Sequence, residues 1–126
     1  AKCYVDAIND KNLDFDCIYG PAYKGIFLGS IVAALFSEQG KNYPLSFNRK
    51  EEKNHGEGGN IIGADPSGKV LIIDDVLSTG KTMMKTIKAI KAAGGEVGLV
   101  IVLVNKTMRN EIEDVPLRGV IRAVSV

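Results

Sequence analysis

This chain has few cysteines, no excess of charge of either sign and no long apolar run. Each absence closes off a class of protein. Two cysteines in 126 residues cannot form the dense disulfide framework of a small secreted domain; one disulfide between Cys3 and Cys17 is open on count alone, and a reduced cytosolic pair in apolar surroundings is the expectation. Sixteen basic residues face fifteen acidic ones, so no global field points to nucleic acid. The longest apolar stretch, about Ile26 to Phe36, is too short and too interrupted to span a bilayer. The first residues form no signal-peptide pattern, and the expected location is the cytoplasm. Internal repeats and low-complexity segments are also missing. What is present is a hydrophobic fraction of 45%, enough for one real core.

Strand-like and helix-like segments alternate. Ala1 to Asn9 has a helical period, as if the chain begins inside a helix, and an incomplete beginning is expected. Phe15 to Tyr19 is a short strand ending at Gly20-Pro21. Lys24 to Glu38 is a helix stopped by Gly40. Tyr43 to Arg49 reads as a strand, Lys50 to Asn60 as a charged, Gly-rich loop, and Ile61 to Gly63 as a short strand. Val70 to Ile73 forms the central strand. Lys81 to Ala93 is an amphipathic helix stopped by Gly94-Gly95. Val97 to Val104 and Gly119 to Val126 complete the strands, with Thr107 to Arg118 ambiguous between them. This order predicts an α/β fold with a parallel sheet covered by helices on both faces. Ligands of such sheets bind beyond the C-terminal strand ends.

The strongest chemical signal is Val70-Leu71-Ile72-Ile73-Asp74-Asp75-Val76-Leu77-Ser78-Thr79-Gly80-Lys81-Thr82. An apolar strand ends in two carboxylates, which accept hydrogen bonds from hydroxyls. Neighbouring strand residues face opposite sides, so a turn at Val76-Leu77 is expected to let Asp74 and Asp75 converge. Ser78, Thr79 and Thr82 offer hydroxyls, Gly80 permits close approach, and the following helix offers N–H groups to an anion. Lys81 adds charge or sits exposed on that turn. An acidic strand end followed by a helix cap at Ser78 or Thr79 would explain the residue types without any ligand. A sugar phosphate would explain the whole combination. Gly80-Lys81-Thr82 is not a P-loop. That motif needs a glycine five positions earlier, where Asp75 would instead repel the phosphates.

The segment Ile72 to Thr82 resembles the phosphoribosyl-pyrophosphate (PRPP) signature of type I phosphoribosyltransferases. Two more segments resemble the orotate phosphoribosyltransferase family in particular. One is Tyr19-Gly20-Pro21-Ala22-Tyr23-Lys24-Gly25, led by Phe15-Asp16. The other is Phe47-Asn48-Arg49-Lys50-Glu51 followed by Lys53-Asn54-His55-Gly56-Glu57-Gly58-Gly59. The resemblance runs from about Phe15 to Val104. It implies one phosphoribosyltransferase core domain over residues 1–126, incomplete at both ends, without the N-terminal hood and C-terminal helical extension of family members.

The resemblance also implies roles. Asp74 and Asp75 would bind the ribose hydroxyls of PRPP, and Val76, Leu77, Ser78, Thr79, Gly80, Lys81 and Thr82 would wrap its 5′-phosphate. Tyr23 and Lys24 match the pyrophosphate loop, with a cis peptide expected at Ala22–Tyr23. Arg49, Lys50, Lys53 and His55 match the residues that hold pyrophosphate, on a mobile lid. The implied catalytic set is Lys53, His55, Asp74 and Asp75. Lys53 and His55 would reach a neighbouring subunit, which implies a homodimer. The reaction would transfer the phosphoribosyl group of PRPP to orotate, giving orotidine 5′-monophosphate and pyrophosphate on the route to UMP. Mg²⁺ would be held mainly by PRPP itself, with no direct protein ligand. Orotate would meet Ser78 and Lys106. Here Asn105-Lys106 stands where the family usually has Asp-Arg, which keeps the charge but loses the bidentate fork. The alternatives are a type I enzyme for another base, or a PRPP-binding regulator without catalysis. The latter would need a basic face or a DNA-binding module, and neither is evident.

Overall fold

The structure is a computed structural model that describes Tyr4, Ile8 and residues 15–48 and 61–121. Within these residues seven strands form one sheet, in the spatial order β3-β2-β1-β4-β5-β7-β6. The strands are β1 (Cys17–Gly20), β2 (Leu45–Asn48), β3 (Ile61–Gly63), β4 (Gly68–Leu77), β5 (Gly95–Asn105), β6 (Glu111–Ile112) and β7 (Val115–Ile121). Helix α1 spans Lys24–Glu38 and helix α2 spans Lys81–Ala92. The central pairs β1–β2, β1–β4, β4–β5 and β5–β7 are parallel. Only the edge strands β3 and β6 run antiparallel to their neighbours.

Alternation along β4 explains the two layers. Leu71 and Ile73 point to one face, where they pack with Val32 and Phe36 of α1 and with the helical residues Tyr4 and Ile8. Val70 and Ile72 point to the other, where they meet Met83, Ile87 and Ile90 of α2. A strand buried on both faces must be apolar throughout, and all four of these residues are at most 1% exposed. Helices therefore cover both faces, as the βα alternation implies. Cys17 is a free, buried thiol; Cys3 lies outside the described residues. No described helix is long and apolar enough to cross a membrane.

Two expected boundaries are corrected. The central strand does not stop at Ile73. It runs to Leu77, because Val76 and Leu77 stay in register with Val104 and Asn105 of β5. The last strand starts at Val115 rather than Gly119, since Leu117 to Ile121 pair with β5 from Val100 to Val104. A tight hairpin precedes it. Ile112 faces Val115, and Glu113 and Asp114 turn the chain with φ of 49° and 64°. Two positive φ values are what a two-residue hairpin of matching twist requires. The usual Asn-Gly signal is absent there, so the hairpin is silent in the sequence.

Candidate active site

The C-terminal ends of the parallel strands gather the loops that carry the chemistry. The extension of β4 means that Asp74 and Asp75 lie on the strand itself, and the chain turns only after Leu77. The expected turn at Val76-Leu77 is therefore not what relates the two carboxylates. Asp74 bends back locally instead, and its Oδ1 accepts the Asp75 N–H at 2.8 Å. Tyr4 Oη donates to the Asp74 carbonyl oxygen at 2.9 Å. The Asp74 carboxyl is pushed up to about 7, chiefly by burial. The Asp75 N–H pulls it down, while the Asp75 side chain pushes it further up.

Beyond Leu77 the chain passes through Ser78 and Thr79, both exposed, into Gly80 at the N-terminal boundary of α2. Gly80 has φ of 90°, a left-handed conformation that favours glycine. An added Cβ would also lie 3.0 Å from Ile112 Cδ1. The helix boundary is thus Gly80 and not Ser78 or Thr79, and no side chain caps it. No acidic residue occupies the first turn either. Its N–H groups have no helical acceptors, and the Thr79 hydroxyl reaches only Lys81 N, at 3.4 Å. A cavity of about 150 Å³ opens here, lined by Asp74, Ser78, Thr79, Gly80 and Thr82 among others. One wall is a carboxylate able to accept hydroxyls. The other is an electropositive helix end able to hold an anion.

The loop after β1 closes on this corner. The Ala22–Tyr23 peptide is cis, as expected from the resemblance. Ala22 N–H donates to Asn48 Oδ1 at 2.8 Å, tying the loop to the end of β2. Lys24 Nζ reaches Asp75 Oδ2 at 3.8 Å. The approach depends on Gly25, where an added Cβ would sit 3.0 Å from the Ile73 carbonyl and 3.2 Å from Asp74 Oδ1. On the far side, Lys106 N–H donates to the Leu77 carbonyl at 2.8 Å, which fixes the start of the loop after β5 beside Ser78.

The structure therefore places Asp74, Val76 to Gly80 and Thr82 on the cavity, sets Lys24 against Asp75 and ties the backbone of Lys106 to Leu77; Tyr23, Asp75, Lys81 and Lys106 are not among the cavity's lining residues. Tyr23 and Val76 are exposed, whereas the Leu77 side chain belongs to the core. Arg49, Lys50, Lys53 and His55 lie outside the described residues. Gly25, Asn48 and Asn105 were missed as positioning residues. Gly25 and Asn48 stand inside the matching segments, but nothing in their spacing reveals which backbone group each one serves. Among the described residues, no group of three or more His, Cys, Asp or Glu could hold a metal ion.

The family model for the phosphoribosyl transferase domain matches residues 2–124, and the chain belongs to that family. It is 50% identical over 105 residues to an orotate phosphoribosyltransferase of Xanthomonas euvesicatoria pv. vesicatoria, a match covering 82% of this chain and 48% of that protein. The chain spans about half the length of the curated relatives it matches. Among solved structures it is similar to orotate phosphoribosyltransferase of Francisella tularensis, with a TM-score of 0.77 and 24% identity over 96% of this chain and 63% of that one. The enzyme of Mycobacterium tuberculosis H37Rv, solved in complex with PRPP, gives a TM-score of 0.74 at 21% identity, over 96% of this chain and 69% of that one. At these identities the two structures establish the fold: the type I phosphoribosyltransferase core expected from the three motifs.

Proposed function

We propose that this chain is the core of an orotate phosphoribosyltransferase. It joins PRPP to orotate and releases orotidine 5′-monophosphate and pyrophosphate, a step of de novo UMP synthesis carried out in the cytoplasm. The observation that carries the reading is the cavity between the Asp74 carboxyl and the uncapped start of α2. A ribose 5-phosphate offers hydroxyls to the first wall and an anion to the second. The similarity to the Xanthomonas protein supports orotate as the base.

In this reading Asp74 and Asp75 accept hydrogen bonds from the ribose 2′- and 3′-hydroxyls. Ser78 to Thr82 surround the 5′-phosphate with N–H and hydroxyl donors. Lys24, Arg49, Lys50, Lys53 and His55 gather around the pyrophosphate, where cationic donors stabilise the charge of a leaving group. A ring nitrogen of orotate attacks the anomeric carbon as the bond to the pyrophosphate oxygen breaks, through an oxocarbenium-like transition state. The chain contributes position and exclusion of water, and no covalent nucleophile is required. Ser78 and Lys106 face the base, with Lys106 matched to its carboxylate. Lys53 and His55 serve the neighbouring site of a homodimer.

Two adjacent carboxylates and the hydroxyls beside them suit Mg²⁺ bound through waters and substrate oxygens, the usual habit of that ion at phosphates. When bound, it neutralises charge on the pyrophosphate. The test is PRPP-dependent loss of orotate absorbance with Mg²⁺ present. Turnover with orotate, and none with uracil or hypoxanthine, is the expected result. Turnover of another base would overturn the assignment of orotate. PRPP binding without turnover of any base would overturn catalysis.

A further inference from the structure

The loop that follows β5 is built around one side chain. Asn105 Oδ1 accepts from Thr107 N–H at 2.9 Å and from Thr107 Oγ1 at 2.7 Å. Asn105 Nδ2 donates to the Arg109 carbonyl at 2.9 Å. Thr107 Oγ1 in turn accepts from Arg109 N–H at 3.2 Å. Donors and acceptors match throughout, and only one orientation of the amide allows this. The flipped group would set its oxygen against the Arg109 carbonyl and its NH₂ against the Thr107 N–H. The network surrounds Lys106, an exposed residue whose own N–H is bonded to the Leu77 carbonyl at 2.8 Å. The backbone of Lys106 is therefore tied to β4 through its own N–H, and the next residue, Thr107, is tied to the Asn105 amide.

We infer that Asn105 is a positioning residue for base recognition, holding Lys106 at the Ser78 end of the site; this rests on the orotate reading above. The loop as built in this chain needs an acceptor and a donor on one planar group, which a carboxamide has and an aspartate lacks. An aspartate would present an oxygen to the Arg109 carbonyl, setting acceptor against acceptor, and the 107–109 turn would open. Asn105 and Lys106 thus form a matched pair in this chain. An amide-built loop carries a flexible cation where the family usually has an aspartate followed by a bidentate arginine.

The test uses the full chain and three variants, Asn105→Asp, Lys106→Ala and the double variant, with calorimetric titration of orotate and PRPP separately. Asn105→Asp is expected to weaken orotate about tenfold, the scale of one lost hydrogen bond with its partner left unpaired. PRPP affinity should stay within about twofold, because the walls of its cavity are untouched. In the Lys106→Ala background Asn105→Asp should cost less than about twofold in orotate affinity, since the residue it positions is gone. An equal loss for both ligands, no loss for either, or an undiminished loss in the Lys106→Ala background would each overturn the proposal. A wild-type chain that binds PRPP but not orotate would instead overturn the base assignment on which the proposal rests.

Discussion

Raising the pH should loosen this chain at Asp74. Its carboxyl lies at about 7 in the fold against an ordinary 3.8, whereas the unfolded chain titrates it near the ordinary value. Between those limits the folded state keeps a proton that the unfolded state has lost, so folding is favoured by protonation. The contribution is full below the unfolded pKa and vanishes as pH rises through 7. At about 1.36 kcal/mol per unit the whole interval would be worth about 4 kcal/mol. Asp74 is only half-buried, and solvent screening reduces this to about 2 kcal/mol. A scan from pH 5 to pH 8.5 crosses only the part of that interval from 5 to about 7, which is about 1 kcal/mol, and for a chain of this size a fall of about 3–5 °C in melting temperature. The control is Asp74→Asn, whose Oδ1 can still accept the Asp75 N–H but which does not titrate. Thermal melts of both proteins across that range isolate the Asp74 carboxyl together with its interaction with the Asp75 side chain, because groups away from this pair are shared. The difference between the two curves should change by about 1 kcal/mol, with wild type losing ground as pH rises. A difference that stays flat, or changes in the opposite direction, would refute the account of Asp74.

Three other substitutions probe the site from separate sides. Gly25→Ala places a methyl group 2.8 Å from Pro21 Cδ and close to Asp74 Oδ1; calorimetry should find PRPP affinity reduced by more than about tenfold, an overpacking cost of roughly 1–3 kcal/mol. Asn48→Ala leaves the Ala22 N–H without its acceptor. Urea denaturation should register about 1–2 kcal/mol of lost stability, accompanied by weaker pyrophosphate binding. Lys53→Ala should slow turnover about a hundredfold, the scale of one lost charge-stabilising donor, while the unfolding midpoint stays within experimental error; unimpaired turnover would remove Lys53 from the mechanism.

The apolar run Val70 to Ile73 and the alternation of helices and strands made the layered sheet legible, because burial on both faces leaves a strand no polar positions. The Ser78 to Thr82 loop was legible because its residue types suit few purposes together. Other features were hidden for physical reasons. Asp74 and Asp75 look like a strand end, yet pairing of Val76 and Leu77 with β5 keeps them inside the ladder, and cross-strand pairing leaves no local mark. The Glu113-Asp114 turn carries positive φ without glycine or asparagine, so tertiary pairing overrides local preference there. Asn48 and Asn105 act through hydrogen bonds to the backbone of loops whose shape appears only once the chain is folded. The separation of the two core clusters, by contrast, follows directly from the parity of positions along β4.

The bare start of α2 makes the ligand a missing part of the secondary structure. A side-chain cap is worth about 1 kcal/mol to a helix, and this helix has none. A phosphate seated there would satisfy the N–H groups that a serine or aspartate satisfies elsewhere. Filling the site and finishing the helix then become the same event. Amide exchange at Thr82 and Met83 should slow when phosphate binds.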